Sequence, residues 1–185
     1  MRSLDIGIAF ELRSDFTPPE DAPIDALEEY DSLSTIEALV DALTALGHHP
    51  RLLYGGRVFL EAMLAHPPEL LFNNAEGQGS RSREAQVPAI CELLSVPYSH
   101  SDPLTMALAL DKALAKRVVQ SAGIRTAPFE VFDSPEEVAA SALPLPLFVK
   151  PVAEGSSMGV RTSSRVADRE ALVREVERCL TAYRQ

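Results

Sequence analysis

Residues 147–160 read Leu147-Phe148-Val149-Lys150-Pro151-Val152-Ala153-Glu154-Gly155-Ser156-Ser157-Met158-Gly159-Val160. An apolar, strand-like run ends in a lysine, a glycine-serine-serine turn follows, and a second short apolar run begins at Gly159. A lysine at a sheet edge beside such a loop suits a nucleoside triphosphate. Glycines let backbone N–H groups approach phosphate closely, hydroxyls add donors, and the lysine adds positive charge. This is not a Walker loop, in which the lysine follows the glycines as GxxxxGK[ST]. Taken alone, Lys150 reads equally well as a surface lysine at a strand end. The following Gly155-Ser156-Ser157 and Gly159 favour phosphate binding.

The pattern around this stretch predicts a small α+β unit. Phe129–Phe132 reads as a strand, Pro135–Ala142 as a short helix, Leu147–Lys150 as a second strand and Gly159–Thr162 as a third. Short links imply antiparallel pairing among them. Two helices face this sheet: Asp111–Ala122, stopped by Gly123, and Ala171–Leu180, with Leu172, Val176, Cys179 and Leu180 apolar. Lys112 falls near the start of the first. A cation is mildly unfavourable there, which a nearby phosphate would offset, although a solvated helix lysine is the plainer reading.

The first hundred residues alternate strand and helix. Leu4–Phe10 is a buried strand, Ser34–Leu46 an amphipathic helix ended by Gly47, Arg51–Tyr54 a strand, Val58–Leu64 a helix and Leu70–Phe72 a strand. Arg83–Leu94 is helical, with Pro88 either kinking it or marking its true start. Pro97-Tyr98 is too short to read. Asp102-Pro103 opens the next helix, capped by Ser101 or Asp102. This order predicts an α/β fold with a mostly parallel sheet, whose ligands bind at the carboxyl ends of the strands. The loops after Phe10 and Phe72 are therefore candidates. The first runs from Glu11 to Glu29, is rich in Pro, Asp and Glu, and is long enough to be a lid or binding loop. The second, Asn73–Arg81, reads as either a surface loop or a substrate loop, with Arg81 or Arg83 able to steady a carboxylate.

The chain has 185 residues, of which 46% are hydrophobic and 24% charged, so a sizeable core is expected. Its 17 basic and 27 acidic residues give a net charge of -10, which argues against a nucleic-acid partner but not against a nucleotide. Cys91 and Cys179 read as buried free thiols, and His48, His49, His66 and His100 lack zinc spacing. With neither a signal peptide nor a long apolar run, the chain reads as cytoplasmic, without a membrane partner.

Four segments together resemble the D-alanine--D-alanine ligase family of the ATP-grasp superfamily. Pro97–Asp102 (PYSHSD) resembles that family's "GIPYTGS", Ala109–Lys116 (ALDKALAK) its "AMDKxxxK", and Ala122–Pro128 (AGIRTAP) its "AGIPTPP". Leu147–Val160 resembles "PLFVKPxxxGSSxGV" almost residue for residue. The resemblance implies a pre-ATP-grasp, Rossmann-like parallel-sheet domain over 1–101, then a truncated N-terminal subdomain of the ATP-grasp domain over 102–185. It implies ATP-dependent joining of a carboxylate to an amine through an acyl-phosphate, with ATP and Mg2+ as cofactors, small amino acids as substrates and peptidoglycan biosynthesis as the setting. It also allows a homodimer through the N-terminal domain.

By position, Lys112 and Lys150 match the family's ATP-phosphate lysines. Glu154, Gly155, Ser156, Ser157 and Gly159 match the loop that closes over the phosphates, and Ser156 matches the serine that helps position the second substrate. Lys150 and Ser156 are therefore the expected catalytic residues, and Glu11, Glu76 and Ser156 the expected substrate-binding residues. Two departures put D-alanine specificity in question. Ala9–Ser14 replaces a glycine-rich loop after the first strand, and in the loop resembling "HGxxGEDG" Glu76 stands where histidine is expected. The family's metal-binding carboxylates and the tyrosine partner of the loop serine lie in a C-terminal part without counterpart here, so no metal ligand is expected in this chain. The 185 residues alone are expected to bind ATP weakly, not to catalyse ligation, and to have a mobile 153–159 loop. A ligase for other amino acids or peptides, and a non-catalytic structural module, are the alternatives.

Overall fold

The computed structural model describes residues 2–185. They form two compact units: residues up to Thr17 with Leu27–Ala107, and Pro18–Ala26 with Leu108–Gln185.

In the first unit, strand β1 (Asp5–Phe10) is buried over its last five residues. It pairs in parallel with β2 (His49–Tyr54) on one side and β3 (Leu70–Asn73) on the other, giving the order β2-β1-β3. A near-continuous apolar run is what a central parallel strand covered on both faces requires. The pleat sends alternate residues to opposite cores. Ile8 and Phe10 pack with Ile36, Leu39, Val40 and Leu43 of helix α1 (Leu33–Ala45). Ala9 packs with Phe59 and Met63 of α2 (Arg57–Ala65) and Val87 and Cys91 of α3 (Gln86–Leu93). Ser32 caps α1 by accepting the Thr35 N–H at 3.3 Å.

Pro88 lies at the third position of α3, where no intrahelical donor is needed, and a short 3-10 turn over Arg83–Ala85 precedes the helix. Pro97 and Ser99 bracket Leu71 with hydrogen bonds of 2.8 and 2.9 Å, so Tyr98 adds one more parallel rung beside β3.

Asp102 accepts the Leu104 and Thr105 N–H groups at the start of α4 (Pro103–Leu110). In the second unit, Asp111 caps α5 (Lys112–Ser121) through the Ala113 and Leu114 N–H groups. Asp168 caps α6 (Arg169–Tyr183), whose Leu172 and Val176 pack on Val138 and Val166. The sheet here is minimal: β4 (Leu147–Phe148) runs antiparallel to β5 (Arg165–Val166).

Three expectations need correction. Phe129–Phe132 is extended but joins no ladder. Its aromatic rings pack inward, Phe132 against the Val138–Val176 cluster and Phe129 beneath Lys116, so its β-propensity is met by packing rather than pairing. The strand predicted at Gly159–Thr162 lies at Arg165–Val166 instead. Gly159 has φ +76°, its N–H is taken by Asp25, the Val160 N–H by Ser157 and the Arg161 N–H by Ser164, so these donors are spent on turns. The ladder before Pro151 also stops at Phe148 rather than Lys150, although the Val149 N–H still reaches Ser164 O at 2.8 Å. Among the described residues, no helix is long and apolar enough to cross a membrane.

Candidate functional site

The candidate residues fall into two groups, one in each unit. In the first, Glu11 follows β1 and the Asn73–Gly77 segment follows β3, so the parallel sheet delivers both to its carboxyl edge. The Glu11 carboxylate is 5% exposed and accepts the N–H groups of Glu76 at 3.0 Å and Gly77 at 3.3 Å. Gly55 makes room for it, since a Cβ there would lie 2.3 Å from Glu11 Oε1. Burial raises the Glu11 pKa, with the Asp31 charge adding to it, while the two backbone donors pull it down. Glu76 is pushed up to about 7, first by burial and then by the charges of Glu29 and Glu84, against the pull of Arg83.

Arg83 does not stand open to a substrate carboxylate. It is 8% exposed and donates from Nη2 to both Glu29 oxygens, at 2.6 and 2.7 Å. The Glu76 backbone and the Glu11 carboxylate thus meet at the sheet edge, with Glu29, Asp31 and Glu84 adding acidic charge around them. Arg81 is exposed.

In the second unit, Lys112 and Lys150 line one cavity of about 630 Å3. Asp111 sets the first turn of α5, and Lys112 follows it directly. The Lys112 N–H donates to Val152 O at 3.0 Å, and its ammonium donates to Glu154 O. The start of α5 is thereby tied to the segment entering the glycine-serine turn.

Lys116 is a third lysine in the cavity. It donates to Thr126 Oγ1 at 2.9 Å and lies 5.2 Å from the Phe129 ring centroid, within cation–π range. Its i,i+4 relation to Lys112 puts both on one helix face, and that spacing was the available sequence signal. Phe129, Val131, Pro146 and Phe148 supply apolar wall, with Phe148 55% exposed.

The glycine-serine turn is closed by a 2.8 Å bond from the Met158 N–H to Gly155 O. Its central residues, Ser156 and Ser157, are exposed and have φ of +41° and +62°, the left-handed conformation that hairpin turns with two central residues use. The flanks are anchored. The Ala153 N–H donates to the Gln185 side chain, the Gln185 amide donates to Glu154, and Gly159 is held on both its N–H and its C=O. Both ends of the 153–159 segment are thus tied by side-chain hydrogen bonds.

With this geometry in place, comparisons with known proteins can be read. Residues 118–182 match the family model "D-ala D-ala ligase C-terminus". The chain is 39% identical over 129 residues to the D-alanine--D-alanine ligase of Sinorhizobium fredii, an alignment covering 70% of this chain and 42% of that protein.

Over 70% of its length this chain is similar to D-alanine--D-alanine ligases.

It spans about two-fifths of the length of the curated ligases it matches. Its fold agrees with ligases of known structure. The Bacillus anthracis D-alanine--D-alanine ligase complexed with ATP superposes with a TM-score of 0.63 at 18% identity, covering 98% of this chain and 56% of that one. The VanG D-Ala:D-Ser ligase of Enterococcus faecalis does so with 0.64 at 20% identity, covering 97% and 60%. At these identities the structural likeness speaks for the ligase fold rather than for a shared substrate.

Proposed function

We propose that the protein is an ATP-dependent carboxylate–amine ligase of the D-alanine--D-alanine type, with the nucleotide held by the second unit. The observation that carries this reading is the convergence of Lys112, Lys116 and Lys150 on one cavity with apolar walls. Three ammonium groups meet the charge of a polyphosphate, and Phe129 and Phe148 offer faces on which a purine can stack. The donor set therefore fits ATP. In this reading Lys112 and Lys150 hold the phosphates, while Glu154, Gly155, Ser156, Ser157 and Gly159 form the covering loop. Ser156 faces outward from its turn, ready to orient the second substrate, and a closed loop keeps water from the activated carboxylate.

Among the described residues, no group of three or more His, Cys, Asp or Glu side chains could hold a metal ion. The activity and partners proposed belong to the ligase as a whole, within which residues 1–101 would be the pre-ATP-grasp domain and 102–185 part of the ATP-grasp domain.

A second reading concerns the substrate. Buried Glu11 and half-buried Glu76 lie at one acidic sheet edge, where Arg83 is already paired to Glu29. Such an edge receives an ammonium more readily than a carboxylate, and Glu76, standing where the family's loop has histidine, supports an amino acid or peptide other than D-alanine. The ligase neighbour named for D-serine makes such variation within the fold reasonable.

The nucleotide reading is tested by NMR titration of the 185-residue chain with ATP, with and without magnesium. Shift changes should be confined to Lys112, Lys116, Lys150 and the 153–160 amides, with a millimolar-scale dissociation constant, equivalent to roughly 4 kcal/mol. Lys150→Ala should abolish them. Unchanged spectra at tens of millimolar ATP would refute the assignment.

A further inference from the structure

Gly159 closes the glycine-serine turn and has its N–H and C=O each held by a side chain. Its C=O accepts from Arg178 Nη2 at 2.7 Å, and that guanidinium is itself fixed by Glu175 at 2.6 Å. Glu175 is 5% exposed and also accepts from Ser164 Oγ at 3.0 Å. The Gly159 N–H donates to Asp25 Oδ2 at 2.8 Å, and the other Asp25 oxygen accepts from Tyr183 Oη at 2.6 Å. Asp25 lies more than a hundred positions earlier in the chain, in the excursion Pro18–Ala26 that belongs to this unit.

Asp25 carries most of the hold on that excursion. The one large apolar side chain there, Ile24, is 93% exposed, so hydrophobic burial contributes little. The Arg184–Asp21 pair is 82% and 73% exposed, and exposed pairs of this kind contribute little. Two proline-led turns, with bonds from Ala22 to Pro19 and from Ala26 to Pro23, shape the segment but do not attach it. Burial opposes ionisation of Asp25. Even so, bonds from Tyr183, the Gly159 amide and its own backbone amide, with the charge of Arg161 nearby, hold its carboxyl below the ordinary aspartate range. The attachment is a charge-assisted double acceptor.

We propose that Asp25 is a positioning residue for the glycine-serine loop: through Gly159 and Tyr183 it fixes the hinge about which the exposed Ser156-Ser157 turn closes. The purpose given to that closure rests on the nucleotide reading above, whereas the hinge itself does not. Gly159 suits the role because its φ is +76° and a Cβ would meet Pro151 at 2.4 Å, leaving it one packed conformation. With both peptide groups pinned, the turn swings as a unit from a fixed base.

Amide hydrogen exchange of the 185-residue chain tests the hinge without any ligand. Asp25→Ala should speed exchange at Gly159 and Val160 at least tenfold while leaving Leu172–Val176 and β1 at wild-type rates. Asp25→Asn keeps one acceptor for the Gly159 amide and should restore most of the protection. Tyr183→Phe, which removes only the phenol bond, should give an intermediate effect. Unchanged exchange at Gly159 in Asp25→Ala, or equal acceleration throughout α6, would overturn the proposal.

Addition of magnesium-ATP separates the hinge from the nucleotide reading. With both correct, ATP slows exchange over 155–160 in the wild type, and Asp25→Ala needs several-fold more ATP for the same slowing. If Asp25→Ala frees Gly159 but ATP alters no exchange rate in the wild type, the hinge stands and the nucleotide reading falls.

Discussion

The two groups of candidate residues are built by opposite means. Around Glu11 and Glu76 a parallel ladder does the placing. Two loops leave adjacent strands at one edge, and their backbone N–H groups meet a buried carboxylate. Around Lys112 and Lys150 there is hardly any ladder, since β4 and β5 pair over two residues each. Side chains bonded to backbone do the placing instead: Lys112 on Glu154, Gln185 on Ala153, Asp25 and Arg178 on Gly159. A sheet edge holds a site rigidly at the expense of burying charge. Side-chain ties hold it loosely enough to open. The acidic site therefore suits recognition of a fixed group, and the lysine site suits a loop that must move.

The sharpest way to break this comparison is at the buried ion pair of the first unit. Glu29→Ala leaves the Arg83 guanidinium buried without its main carboxylate and should cost about 3–4 kcal/mol, read as a drop in the urea midpoint. It should also lower the Glu76 pKa, because Glu29 is one of the charges raising it.

In the second unit, Gly159→Ala forces a Cβ to within 2.4 Å of Pro151 at φ +76°. The expected loss is about 2–3 kcal/mol, from strain and overpacking. Its signature should be loop-centred, in exchange of the 155–160 amides, rather than spread over β1–β3.

A smaller effect depends on pH. Glu76 titrates near 7 in the folded chain, above its ordinary 4.5, so the folded state holds this proton more tightly than the unfolded one. The contribution is fully present below about pH 4.5 and is lost as pH rises through 7. Glu76→Gln should flatten that decline and gain about 1 kcal/mol at pH 8 after allowance for solvent screening. Thermal melts of both proteins from pH 4.5 to 8 would show it, and parallel curves would refute it.

The smallest effect is at Ser157, whose φ is +62°. Ser157→Gly should stabilise the turn by about 0.5–1 kcal/mol, because only an L side chain is strained there, and the gain should appear in the melting temperature without any change in the first unit.

The regions differ in legibility for the same reason that they differ in construction. A central strand buried on both faces advertises itself as an apolar run, as β1 does, and the shorter apolar stretches in β2 and β3 also made those strands readable to within a residue or two. Helix ends were marked by Gly47, Gly123 and the cap at Asp102, whereas the caps Ser32 and Asp111 emerged only in the structure. In the second unit, strand-like composition at Phe129–Phe132 served packing instead, and turn donors displaced the strand expected at Gly159.

Lys112 and Lys150 were legible because the surrounding motif was distinctive. Lys116 stood in the ALDKALAK motif but was given no role there. Asp25 left no local signal, since its importance comes from a partner far along the chain. The pairing of Arg83 with Glu29 was equally hidden, and it turned a predicted carboxylate-steadying arginine into a structural one.

The excursion Pro18–Ala26 also bears on the order in which the chain folds. The first unit is interrupted only by these nine residues, a short loop to close. The second unit must join residues 18–26 to residues 108–185 across everything from 27 to 107. Closing a span of that length costs on the order of 4 kcal/mol in chain entropy before any contact compensates it. During synthesis, Asp25 leaves the ribosome long before Gly159 and Tyr183 exist to receive it. The parallel sheet should therefore be native first, and the hinge of the glycine-serine loop should be among the last contacts made.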